Sequence, residues 1–148
     1  MGLSERIKYN YLCMQSKKST VPVYVDSQIK NVLPHEMHSA LALGKAGYEV
    51  RFLAPRIISK TADAYVNGVL FEFKSPEGSS SRSIEHILKK AAKQSPNVVI
   101  DSSRVKNMRD RSIQNFLITW LKSNRTGIKR ILFVNRSGDV IDINGLIR

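Results

Sequence analysis

The sequence predicts an α/β fold, a mixed β-sheet with helices on both faces in the rough order αβββαβαββ. Three observations predict it. Amphipathic helical patterns alternate with short β-rich runs, as they do where helices cross between strands. Two runs, Asn97–Ile100 and Lys129–Asn135, are apolar at their centres and bounded by turn formers, as strands buried on both faces are. The stretch Thr61–Pro76 carries Asn67-Gly68 between two β-branched and aromatic runs, the signature of a hairpin closed by a type I′ turn.

Residues 1–30 are polar, basic and irregular and read as an N-terminal extension packed on or leading into a domain of residues 31–148, with Val21–Val25 as a short strand around Pro22. A helix opens at Asn31 or Leu33, carries Pro34 in its first turn where a missing N–H costs nothing, and runs to about Ala46. Met37, Ala40, Leu41 and Gly44 make its apolar stripe, and Gly47 stops it. Tyr48–Ala54 alternates as a strand does, and Pro55 ends it. Beyond the hairpin, Pro76–Ser81 is a loop of turn formers; Ser83 then caps a helix to about Gln94 with Ile84, Ile87, Leu88 and Ala91 inward. A basic connection over 102–112 leads to a helix from Asp110 or Ser112 to Ser123, carrying Ile113, Phe116, Leu117 and Trp120 at helical spacing. After the strand at 129–135, Ser137-Gly138 turns the chain and Asp139–Ile143 pairs back.

At 148 residues the chain suffices for one domain with a real core. Its net charge of +12, from 24 Lys and Arg against 12 Asp and Glu, favours a polyanionic partner, nucleic acid first, with an acidic membrane surface or protein behind it. The single Cys13 excludes an internal disulfide and a multi-cysteine zinc site. No apolar run approaches the roughly 20 residues of a membrane span, and the first residues lack a signal-peptide pattern. Oligomeric state is not encoded in any of these features.

The hairpin concentrates the chemistry. A two-residue Asn67-Gly68 loop sets Val66 opposite Val69, Tyr65 opposite Leu70, and Asp63 opposite Glu72. Opposed like charges, with Cβ atoms roughly 4.5–5.5 Å apart, destabilise a sheet. Lys74 shares their face by the strand period of two and supplies one positive charge. The other face holds Ala62, Ala64, Val66, Val69, Phe71 and Phe73 and belongs to a core. Two acids and a lysine are what a divalent cation and a water nucleophile need, since the cation removes the repulsion and lowers the pKa of water. A solvated sheet face with an incidental Glu–Lys pair is the other reading, and the hairpin alone does not separate the two.

Glu36, near a helix start, suits the positive end of the helix dipole; beside the hairpin acids it becomes a third candidate ligand or support for water. His35 and His38 are three apart with Glu36 between them, whereas a zinc helix of HExxH type needs four, so the zinc reading fails; His35 could assist as a second-shell or proton-transfer group, but a solvent-facing histidine is the preferred reading. Gly44-Lys45 lacks the rest of a phosphate loop. Candidate nucleic-acid contacts are Lys89 and Lys90 on one helix and Arg104, Lys106, Arg109 and Arg111 on the 102–112 connection, which is the expected clamp. Lys122, Arg125, Lys129 and Arg130 form a further basic group, and Tyr65 is a candidate stacking residue.

Glu36, then Asp63, then Glu72-Phe73-Lys74 in this order of elements resembles the PD-(D/E)XK, or restriction-endonuclease-like, nucleases. More narrowly, HEMHSALALGKAGYEVRFL, ADAYVNGVLFEFKSP and SIEHILKKAAKQSPNVVID resemble the C-terminal tRNase toxin domains of bacterial contact-dependent growth inhibition systems. The likeness covers residues 33–101 well and the rest in general layout. It implies a divalent-metal-dependent nuclease with Asp63, Glu72 and Glu36 as metal ligands and Lys74 aligning the attacking water. Mg²⁺ is the first choice of ion, with Mn²⁺ or Zn²⁺ as alternatives. It also implies tRNA as substrate, a dedicated immunity protein, and action in the cytoplasm of a bacterial target cell after delivery within a larger secreted protein. Two features depart from the pattern: Ala62-Asp63 stands where many relatives have Pro-Asp, and the usual tetrapeptide at the toxin boundary is absent. Alternatives are a DNA endonuclease of restriction or junction-resolving type, and a non-catalytic nucleic-acid-binding module.

Overall fold

A computed structural model describes residues 21–25, 32–52, 62–123 and 126–147. The expectations placed on Cys13, Asn31, Leu53–Pro55, Thr61 and Arg125 lie outside the described residues. Among those described, the chain runs β1 (Val23–Val25), α1 (Pro34–Lys45), β2 (Val50–Phe52), β3 (Ala64–Val66), β4 (Val69–Lys74), α2 (Ser81–Ala91), β5 (Asn97–Asp101), α3 (Asp110–Ser123), β6 (Arg130–Val134) and β7 (Val140–Asp142), closing on a 3₁₀ turn at Ile143–Leu146. The predicted order stands, preceded by β1. All seven strands form one sheet in sequence order. β1–β2, β4–β5 and β5–β6 are parallel; the other neighbours are antiparallel.

Strand alternation divides the interior into two cores. Val23, Val50, Phe52, Ala64, Phe71, Phe73 and Val99 face α1, where Ala40 and Leu43 meet them. Val98, Ile100, Ile131 and Phe133 face the other way, onto Ile84 and Leu88 of α2 and Ile113 and Leu117 of α3. β5 and β6 are therefore covered on both sides, which is why their sequences are continuously apolar.

The hairpin has the predicted register, with Val66 opposite Val69, Tyr65 opposite Leu70 and Ala64 opposite Phe71. Asn67 and Gly68 sit at φ 48 and 79, as a type I′ turn requires. Asn67 also donates its N–H to Glu49 O, and its Oδ1 accepts the Glu49 N–H, each at 2.8 Å. The turn residue thus fastens the hairpin tip to β2 as well as reversing the chain.

Three local expectations are corrected. Val69, expected on the core face, is exposed, because it lies at the tip beyond the cover of α1. The buried stripe of α1 is Ser39, Ala40, Ala42, Leu43 and Gly44, with Met37 and Leu41 only partly covered, since α1 rolls its small residues onto the sheet. The cap of α2 is Ser80, whose Oγ accepts the Ser83 N–H, while the Ser83 hydroxyl donates back to Ser80 O at 2.6 Å. Ser83 belongs to the first turn.

Candidate functional site

Asp63 immediately precedes β3, and its Oδ2 accepts the Phe73 N–H at 2.7 Å. The side chain takes over pairing with β4 where the backbone ladder stops at Ala64. Glu72, in β4, is only 6% exposed, and Lys74 Nζ lies 3.0 Å from its Oε2. Burial first and the Asp63 charge second push the Glu72 carboxyl up to about 7, against the opposing pull of Lys74. The expected trio of Asp63, Glu72 and Lys74 is therefore brought together.

Glu36, in the first turn of α1, accepts the Leu33 N–H through Oε1 at 3.1 Å. This bond returns one of the unpaired N–H groups at the helix start to a partner. Burial raises the Glu36 carboxyl above its ordinary range, the Leu33 bond pulls it down, and the Asp63 charge adds to the rise. Glu36 thus feels the hairpin site. Among the described residues, however, no three His, Cys, Asp or Glu side chains gather into a group that could hold a metal ion.

The connection after β5 is held by Arg136, whose role the sequence reading missed. Its guanidinium donates to Asp110 Oδ1 and to the carbonyls of Val105 and Met108, each at 2.7 Å. The Ser102 hydroxyl donates to the same Asp110 oxygen at 2.6 Å. The loop is thereby wrapped around one partly exposed ion pair, with Lys106 and Arg109 exposed on it and Arg111 exposed in the first turn of α3. Arg104 pairs with Glu77, and Lys89 pairs with Glu85 one helical turn away. Among the described residues, Lys90, Lys106, Arg109 and Arg111 form no ion pair. Tyr65 is partly exposed on the face it shares with the acids.

His38 makes a contact that its place in the sequence does not announce. It is half-exposed, but its Nδ1 lies 2.8 Å from Oδ2 of the fully buried Asp101. One signal for this was available: an acid ending a buried apolar strand must find hydrogen-bond partners.

The family model described as the contact-dependent growth inhibition CdiA C-terminal domain matches residues 60–140. That span contains Asp63, Glu72, Lys74 and the basic loop, and begins after Glu36. Among solved structures, the "CdiA-CT/CdiI toxin and immunity complex from Burkholderia pseudomallei" is similar, with a TM-score of 0.61 at 17% identity over 80% of this chain and 96% of that one. At that identity the likeness is one of fold. No curated protein matches the sequence.

Proposed function

The chain belongs to the contact-dependent growth inhibition CdiA C-terminal domain family, and from that premise we propose that it is a toxin nuclease of PD-(D/E)XK type, dependent on a divalent cation and acting on tRNA. The observation that carries the reading is the buried Glu72 carboxyl, raised to about 7 beside Asp63 with Lys74 in contact. Such strain is relieved by any cation that enters, and strongly perturbed groups of this kind cluster at functional sites.

Asp63 and Glu72 are the residues that would hold the ion, with Glu36 as the outer carboxylate. An all-oxygen pair suits Mg²⁺ or Mn²⁺, which retain several waters, better than zinc, which favours His and Cys. The ion, when bound, supplies charge neutralisation at the phosphate and lowers the pKa of water. Asp63 is fixed for this task by its bond to the Phe73 N–H. Lys74 orients the attacking water and sets positive charge beside the phosphate as negative charge builds in the displacement. Its contact with Glu72 holds the ammonium in place. The net charge of +12 provides the sequence-independent attraction to nucleic acid.

In the producing cell, an immunity protein with an acidic face would cover this basic surface, as electrostatic complementarity favours. Action in a target cell follows delivery as the C-terminal part of a larger secreted protein. No helix among the described residues is long and apolar enough to cross a membrane.

The test is incubation of total RNA with the protein in Mg²⁺ or in EDTA, read on a gel. Discrete tRNA fragments are expected with the metal and none with the chelator. Asp63→Ala and Lys74→Ala should each lower the rate by about 100-fold or more while still folding, as a cooperative melting transition would show. Parent-like cutting by either variant overturns the assignment. Duplex and branched DNA run alongside decide against a restriction or junction-resolving enzyme. Salt-sensitive binding without product under any metal would identify a non-cutting module.

A further inference from the structure

The two cores leave one stretch of the sheet without a hydrophobic cluster upon it. α1 covers one face of β1–β4, and the cluster beneath α2 and α3 on the opposite face contains no residue of those four strands. On that second face the pairing register sets Tyr24 beside Arg51, Arg51 beside Tyr65 and Tyr65 beside Leu70, so the four side chains form one row across β1–β4. The row is closed at one end and open at the other. Tyr24 is buried, and the Arg51 guanidinium lies over its ring at 4.8 Å. Tyr65 and Leu70 are 36% and 37% exposed, side by side on paired strands. Among the described residues the Tyr65 side chain has no hydrogen bond and no ring or cation partner.

A tyrosine opposite a leucine also steadies a hairpin as a cross-strand pair. Its position argues for more. Asp63 and Glu72 come next along the same face, two residues from Tyr65 and Leu70, which is roughly 7 Å of strand. A phosphate held at the acids would therefore bring the base of its own or the adjoining nucleotide over an exposed ring with an apolar neighbour. Every base has a flat face that can stack on such a ring whatever its sequence. In a continuous duplex both faces of the base are already stacked on neighbouring pairs, so only an unpaired base can use the platform.

We propose that Tyr65 and Leu70 form a base-stacking subsite that takes an unpaired nucleobase beside the phosphate held at Asp63, Glu72 and Lys74. The preferred substrate is then a nucleic acid with a single-stranded segment at the point of attack, a loop or a free end, and not continuous duplex. The inference deepens the nucleic-acid reading above and rests on it for the phosphate at the acids. Tyr65 is the specificity-determining residue, and Leu70 widens the apolar floor beside it.

The experiment is equilibrium binding by fluorescence anisotropy in EDTA, which prevents metal-dependent cutting, with three labelled probes. These are an unstructured RNA oligonucleotide, the duplex it forms with its complement, and an abasic phosphodiester chain of the same length and charge. The parent should bind the oligonucleotide about fivefold or more tighter than the abasic chain, the low end of what stacking one base on an aromatic ring is worth. Tyr65→Phe keeps the ring and should preserve that ratio. Tyr65→Val keeps a strand-forming apolar residue opposite Leu70 but no ring, and should bring the ratio towards one. Affinity for the duplex should be the same in all three proteins. A parent that binds the oligonucleotide and the abasic chain alike overturns the proposal, and that arm needs no variant to fold. So does a Tyr65→Val protein that keeps the parent's ratio, or one that loses affinity for the duplex by the same factor as for the oligonucleotide. No arm reads a cleavage product, so an uncut RNA gel would remove the nuclease reading and leave the stacking subsite standing.

Discussion

Burial and Asp63 both oppose a charge on Glu72, and that conflict has a measurable sign. Its carboxyl lies near the ordinary glutamate range in the unfolded chain and at about 7 in the fold. Between those values the native protein binds the extra proton, so this contribution to stability is present at low pH and lost as pH rises through about 7. With chelator present, the parent's melting temperature should therefore decline between about pH 5 and pH 8 more than that of Glu72→Gln, which should be the more stable protein at the upper end. Added Mg²⁺ should raise the melting temperature of the parent and much less that of the variant. Differential scanning fluorimetry across pH reads all of this, and equal pH profiles would show that Glu72 is not strained. The trio containing Glu72 was legible from the sequence because a two-residue turn and a period of two are local rules. The His38–Asp101 bond spans 63 residues and obeys no local spacing, so the sequence could signal that Asp101 needs partners but not that His38 is one of them.

At the scale of elements, strands and helices were legible wherever periodicity was strong, as in α3 and the doubly covered β5 and β6. Boundaries slipped where two residues compete for one role, as Ser80 and Ser83 do at the start of α2. The order within the 102–109 loop was not legible, because it depends on Arg136, well beyond it in the chain. Asp110 anchors both Arg136 and Ser102, so Asp110→Ala should cost roughly 1–3 kcal/mol by leaving those donors short of a partner. The same change removes a negative charge from a basic protein, which by electrostatics alone would tighten RNA binding. Weaker binding by Asp110→Ala, measured beside faster amide exchange in the loop, would thus show that loop geometry governs affinity. Tighter binding would show that charge alone does.

For the whole molecule, the sequence made the excess of positive charge plain but not which charges face a ligand. The structure separates them: Arg104 and Lys89 are paired, whereas Lys106, Arg109 and Arg111 are exposed together without ion pairs among the described residues. Each phosphate a basic residue neutralises adds about 0.7–0.9 to the slope of log affinity against log salt. Replacing Lys106, Arg109 and Arg111 by alanine together should therefore lower the slope for RNA by about 2 to 3. Lys122, at the far end of α3, is about 18 Å along the helix from Asp110 at 1.5 Å per residue. That exceeds the ~10 Å screening length at 0.1 M salt. Lys122→Ala should accordingly leave the slope unchanged. A triple variant with the parent's slope, or an equal drop from Lys122→Ala alone, would mean that the molecule attracts RNA through its overall field and that the loop after β5 is not the clamp.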